Sequence, residues 1–210
     1  MKGIVFTELM ELVESKFGYA AWDKAIKEAN LPHKGAYIAG GTYPVEELFG
    51  IVGSLSRQTG LSPAQLQFAY GRHLFGRLIS LYPVFAEGKA TPLDFISSVD
   101  EVIHVEVRKL YPDAELPHFI VESHEPDRLV MIYRSTRKME EFGHGLIMGC
   151  SDYYKKPLKV EMTPVAGHDV HTVRMTISYD SAPQAAPTPS PAPSSGGGLW
   201  GAIKRLFGMK

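Results

Sequence analysis

Apolar positions in the first half of the chain recur at helical spacing. Residues 8–17 and 22–29 predict two short amphipathic helices. Thr42, Tyr43 and Pro44 open a third that runs toward Gln58, and Gly60 stops it. Ser62 and Gln65 have capping-box spacing, with Pro63 at the first helical position, so a helix is expected from there to about Leu81, ending before Pro83. Thr91, Pro92 and Asp94 mark another start. Phe95, Val99, Ile103, Val107 and Leu110 then follow at steps of four and three, which predicts one continuous helix ending at Pro112.

The period then changes. LPHFIVES, DRLVMIYRSTR, PLKVEMTPV and VHTVRMTISYD are rich in β-branched and aromatic residues and predict four strands. A helix is expected over about 138–154, between the second and third. Helices first, then strands around one helix, predict an α+β domain whose short connections make the sheet antiparallel.

From Ser181 to Gly198 the pattern disappears. SAPQAAPTPSPAPSSGGG has five prolines, three terminal glycines and no charge, the composition of a linker. The folded domain is therefore expected over 1–180, the linker over 181–198 and a tail over 199–210. If helical, the tail LWGAIKRLFGMK places Leu199, Trp200, Ile203, Leu206 and Phe207 on one stripe beside Lys204 and Arg205. It is too short to span a bilayer and suits weak docking to a membrane surface or a partner groove.

Composition narrows the class of function. The chain has 210 residues, about one domain, with 44% hydrophobic and 21% charged residues. Twenty-two Lys and Arg balance 23 Asp and Glu, without the basic excess of a nucleic-acid binder. One cysteine, Cys150, leaves no disulfide framework and no multi-cysteine zinc site. It reads as a buried, inert small hydrophobe. The N-terminal segment does not look like a signal peptide, and no apolar run is long enough to cross a membrane. A cytoplasmic protein is expected, peripheral to the inner membrane at most through its tail.

Nucleophile elbows, phosphate loops and paired-histidine zinc motifs are missing from the sequence, so no catalytic function is expected. Of eight histidines, His168 and His171 are three apart in a turn-to-strand stretch and have no third ligand nearby. His104 stands out in VDEVIHVEVRKLYP, within a helix apolar on much of its circumference. Its position suits a satisfied boundary histidine; it also suits a neutral imidazole presented to a metal or cofactor. In Tyr133-Arg134-Ser135-Thr136-Arg137, strand alternation puts Tyr133, Ser135 and Arg137 on one face. A phenol, a hydroxyl and a guanidinium suit carboxylates, although a strand end with one exposed arginine explains them as simply.

Taken together, these segments resemble the heme-nitric oxide/oxygen binding (H-NOX) family. The resemblance covers residues 1–180 and rests on MKGIVFTEL, DEVIHVEVRKLYPDAELPHF, YRSTR and KMEEFGHGLIMGCSDYY. It implies an H-NOX-like α+β fold: an N-terminal helical subdomain, a C-terminal subdomain with an antiparallel sheet plus helices, and heme b (iron protoporphyrin IX) between them. It also implies that His104 is the proximal iron ligand and that Tyr133, Ser135 and Arg137 bind the two propionates. Pro117 matches the family's proline packed against the porphyrin, a contact tied to heme distortion.

The same resemblance addresses the gas. Oxygen-binding members carry a distal tyrosine nine residues after the motif tyrosine; here that residue is Phe142. Leu146 follows one turn later on the same face. Val5, Leu9 and Leu74 match other distal positions, and all are apolar. His144 falls on the opposite side of that helix from Phe142 and Leu146. Bound dioxygen is stabilised by a hydrogen-bond donor. Nitric oxide and carbon monoxide are therefore the expected ligands, without a stable dioxygen complex. The resemblance implies a sensor acting in trans on a partner, such as a histidine kinase or a cyclic-diguanylate enzyme, through a ligand-dependent change at His104. The alternative is a non-heme interaction module in which His104 and the YRSTR strand are structural.

Overall fold

Each end of a helix must satisfy backbone groups that have no partner within it, and the ways this chain does so set its helix boundaries. In the computed structural model, which describes residues 1–180, α4 (Pro63–Leu81) starts with the expected box: Gln65 N–H donates to Ser62 Oγ at 3.2 Å, and Ser62 N–H to Gln65 Oε1 at 2.9 Å. α3 (Val45–Thr59) stops at Gly60, whose φ of 74° is the left-handed value that suits glycine. α1 (Gly3–Phe17) begins well before the position that periodicity suggests. No side chain caps it. Instead, the N–H groups of Gly3 and Ile4 donate to the carbonyls of Gly41 and Ala39 at 2.8 and 2.9 Å. A side chain at residue 3 would collide with the Ile38 carbonyl, so this start needs glycine. α2 (Tyr19–Ala29) follows at once.

The helix expected to run unbroken to Pro112 is in three pieces. α5 (Pro92–Ser97) begins with a second capping box, Thr91 with Asp94. A wider π-type turn follows over Val99–Ile103, and α6 is His104–Leu110. The hydroxyls of Ser97 and Ser98 donate back to the carbonyls of Asp94 and Phe95 at 3.1 and 2.8 Å. Such bonds compete for the groups that an α-helical ladder would use. Further on, the His104 N–H reaches back to the carbonyl of Val99, five residues away.

The second half is as its period predicts. β1 (His118–His124), β2 (Arg128–Ser135), β3 (Leu158–Pro164) and β4 (His171–Tyr179) form one antiparallel sheet in the order β1-β2-β4-β3. α7 (Glu140–Tyr154) connects β2 to β3. The α+β architecture is therefore the one expected, with helices preceding a mostly strand-built second half.

One face of the sheet builds the core. Leu129, Met131 and Tyr133 of β2 and Val173, Met175 and Ile177 of β4 pack with Phe75, Ile79, Phe95, Ile147 and Cys150. Helices α4 and α7 cross with little between them. A Cβ on Gly71 would stand 2.2 Å from the Phe142 carbonyl oxygen, and one on Gly145 would stand 2.1 Å from that of Phe68. The crossing therefore depends on missing side chains. Among the described residues, no helix is long and apolar enough to cross a membrane. The linker expected at 181–198 and the tail expected at 199–210 lie outside the described residues.

Candidate functional site

His104 is the first residue of α6, directly after the π-type turn, and is 9% exposed. Its Nδ1 lies 2.9 Å from Oδ1 of Asp100, four residues earlier. A carboxylate there accepts a hydrogen bond from Nδ1–H, which fixes the proton on Nδ1 and leaves the lone pair on Nε2. Among the described residues, Nε2 makes no hydrogen bond. Burial pushes the imidazole below its ordinary pKa against the opposing pull of Asp100, so the ring is neutral at neutral pH. A neutral imidazole with one nitrogen tied to a carboxylate and the other open is the donor that metal ligation requires.

A chain of rings connects His104 to the sheet. Its centroid is 5.8 Å from that of Phe119 on β1, and Phe119 is 5.5 Å from Tyr133 on β2. Phe119 and Tyr133 face each other across the strand register. The Tyr133 phenol is buried, which raises its pKa, while Ser135 and the Met139 backbone pull the other way. Ser135 is the last residue of β2, and its Oγ accepts the Arg137 N–H at 3.1 Å. Arg137 is therefore placed by the turn after β2 rather than by strand alternation. Lys138 in that turn has a φ of 48°.

The Arg137 guanidinium already holds a carboxylate. It donates to the Glu115 carbonyl at 2.7 Å and to the Glu115 side chain. Arg137 is mostly covered, whereas the Glu115 side chain is 78% exposed. A recess of about 570 Å³ opens here, between the start of α3 (Val45, Phe49) and the turn that carries Arg137 and Lys138. Pro117 is half-buried just before β1, on the segment joining α6 to the sheet.

The five distal candidates come from three helices. Val5 and Leu9 lie on α1, Leu74 on α4, and Phe142 and Leu146 on α7; α1 and α7 both pack on α4. Leu9 and Leu74 are buried, while Val5, Phe142 and Leu146 are half-buried. Leu146 packs against the core that contains Tyr133. His144 turns toward α4 instead, 4.8 Å from the Phe68 ring and with Nδ1 3.4 Å from Glu141. Cys150 is buried, and burial raises its thiol pKa strongly. His168 is exposed, and His171 lies 3.0 Å from Glu140.

Sequence reasoning missed three participants. Asp100 stands four residues before His104, a spacing that could have marked it. Tyr70 stands four before Leu74 on the same helix face; its ring is 5.5 Å from Phe142 and its hydroxyl donates to the Val5 carbonyl at 2.5 Å. Glu115 carries no local signal, because its partner lies 22 residues further along the chain.

Fold and site together define an α+β domain with a buried histidine linked by a chain of rings to β2, and an arginine just after that strand that binds a carboxylate. A family model described as Haem-NO-binding matches residues 2–162. The Fe(II) unliganded H-NOX protein from K. algicida is 35% identical, covering 89% of this chain and 100% of that one, with a TM-score of 0.80. The H-NOX from Shewanella woodyi, solved bound to IWP-051 in the Fe(II)CO ligation state, is 35% identical, covering 89% of this chain and 97% of that one, with a TM-score of 0.74. Soluble guanylate cyclase 89Db of Drosophila melanogaster is 25% identical over 144 residues, 65% of this chain; the match spans 20% of that protein's length. The chain belongs to the Haem-NO-binding family and is an H-NOX domain, of a family of heme-based gas sensors.

Proposed function

We propose that this chain senses nitric oxide through bound heme b and signals in trans to a partner enzyme. The observation that carries the reading is the state of His104: buried, neutral, tied to Asp100 through Nδ1 and open at Nε2. Nε2 would ligate the iron, with Asp100 orienting the ring and raising its basicity. Tyr133, Ser135 and Arg137 would hold the propionates. That Arg137 already grips the Glu115 carboxylate supports this, since the exposed Glu115 can yield to another carboxylate at little cost. Pro117 would pack against the porphyrin at the end of the segment that leaves α6.

Bound heme supplies the iron at which a diatomic gas is held. The protein's contribution is to withhold a donor: Val5, Leu9, Leu74, Phe142 and Leu146 carry none. This favours nitric oxide and carbon monoxide over dioxygen, whose complex such a donor strongly stabilises. The output is the state of His104. With Nε2 free of an iron, α6 would be held by its own packing, by the Phe119 ring and by Asp100 across the π-type turn, a wider and less regular turn than the helices beside it. A histidine kinase or a cyclic-diguanylate enzyme suits the role of partner, the chain itself being read as a sensor rather than an enzyme. The reading takes the protein as cytoplasmic, with 199–210 for weak docking.

The test is spectroscopic. Purified chain should show a Soret band, form nitric oxide and carbon monoxide complexes when ferrous, and show no stable dioxygen complex in air. His104→Gly should lose the proximal ligand, and imidazole should restore it. A colourless protein, or an air-stable ferrous dioxygen spectrum, overturns the proposal.

A further inference from the structure

Tyr70 brings a hydroxyl to a group of side chains that otherwise has none. It lies on α4, one turn before Leu74, with its ring against Phe142 of α7 and its hydroxyl on the Val5 carbonyl of α1. It therefore touches two of the five distal candidates and neighbours a third. The residue is 4% exposed, and burial raises its phenol pKa well above the ordinary value, so the proton stays on the oxygen. That proton is committed, because the carbonyl accepts it at 2.5 Å. A second contact lies further along the same seam, one turn on in α1 and two in α4. Glu8 of α1 is buried and accepts from Arg77 Nε of α4 at 2.6 Å. The α1–α4 seam is thus pinned at two levels, and Tyr70 makes the pin nearer to Phe142.

We propose that Tyr70 is a positioning residue for gas selectivity: by donating to the Val5 carbonyl it holds α1 at the distal pocket and keeps its own hydroxyl off the bound gas. The inference rests on the heme-sensor reading above. A free phenol among these side chains would be a candidate dioxygen donor. The Val5 carbonyl removes it, and the same hydrogen bond fixes the wall on which Val5 and Leu9 sit.

The experiment uses the full chain and Tyr70→Phe. Amide exchange over the first two turns of α1 should become about fivefold to tenfold faster in the variant, since one buried hydrogen bond is lost. In the ferrous carbon monoxide complex, the C–O stretch should keep its wild-type frequency, because no donor is taken from the ligand. Its band should broaden, and carbon monoxide should dissociate faster, because the wall has loosened. The wild-type stretch should also be the same in D2O as in water, which tests the withheld hydroxyl even if the variant folds poorly. A frequency shift in the variant or in D2O would mean that the phenol reaches the ligand, and overturns the proposal. Unchanged exchange would show that no pin was lost, and unchanged band width and dissociation rate would leave Tyr70 a purely structural role; either overturns it too. A chain that takes up no heme defeats the sensor reading instead, and the exchange comparison can still be made on it.

Discussion

Nδ1 of His104 lies 2.9 Å from Oδ1 of Asp100 across a turn wider than an α-helical one. The contact sets which nitrogen carries the proton and hence which is open to a ligand. Asp100→Ala should leave the fold intact and weaken heme binding about 10- to 100-fold, the usual effect of losing a carboxylate behind a ligating histidine. Heme transfer to a scavenging apoprotein measures this, and the iron–histidine stretch should fall in frequency with it. An unchanged transfer rate would show that Asp100 does not tune the ring.

Phe142 offers no donor, and the Tyr70 ring packs against it. Phe142→Tyr should add a hydroxyl at the distal face and produce a ferrous dioxygen complex that survives in air. Dioxygen dissociation should slow about tenfold for one hydrogen bond of roughly 1.4 kcal/mol. Stopped-flow dissociation and the visible spectrum check this; a variant still without an oxy spectrum would place residue 142 away from the gas.

The α4–α7 crossing depends on glycine. A Cβ on Gly145 would stand 2.1 Å from the Phe68 carbonyl oxygen, which is backbone and cannot step aside. Gly145→Ala should destabilise the domain by about 1–3 kcal/mol or more, as overpacking does. Chemical denaturation reads the change. Because Phe142 and Leu146 ride on the same crossing, ligand dissociation should change with it. A neutral result would mean that the helices separate freely.

His73 on α4 should make stability fall in mild acid. Burial lowers its pKa from the ordinary 6.5, partly countered by Glu8. The unfolded chain therefore takes up a proton before the folded one does, and stability is complete above pH 6.5 and declines as pH drops through that value. His73→Gln should flatten this part of the curve of unfolding midpoint against pH. An unaltered curve would assign the acid sensitivity to other groups.

Local rules carried much of the fold. The two capping boxes, the Gly60 stop and the period-two runs depend on neighbours a few residues apart, and the observed helices and strands follow them. The start of α1 was not legible in this way, because its first N–H groups are satisfied by a loop some forty residues on. Nor was the break before His104, since a pattern at steps of four and three does not register serine hydroxyls opening the ladder.

The site divides along the same line. The sequence by itself determined the residue types: one histidine in an apolar helix, a phenol, a hydroxyl and a guanidinium closely spaced at a strand end, and apolar residues at the positions proposed for the gas pocket. Only the tertiary structure decided what those groups are bonded to. Asp100 on His104, Glu115 on Arg137 and the Val5 carbonyl on Tyr70 are contacts of direction and distance. The last two join residues 22 and 65 positions apart. A hydrogen bond is sharply directional, so whether a donor is available or already committed depends on where the folded chain delivers its acceptor. Spacing along the sequence could have marked Asp100, four residues from His104, but carries no record of the two long-range contacts.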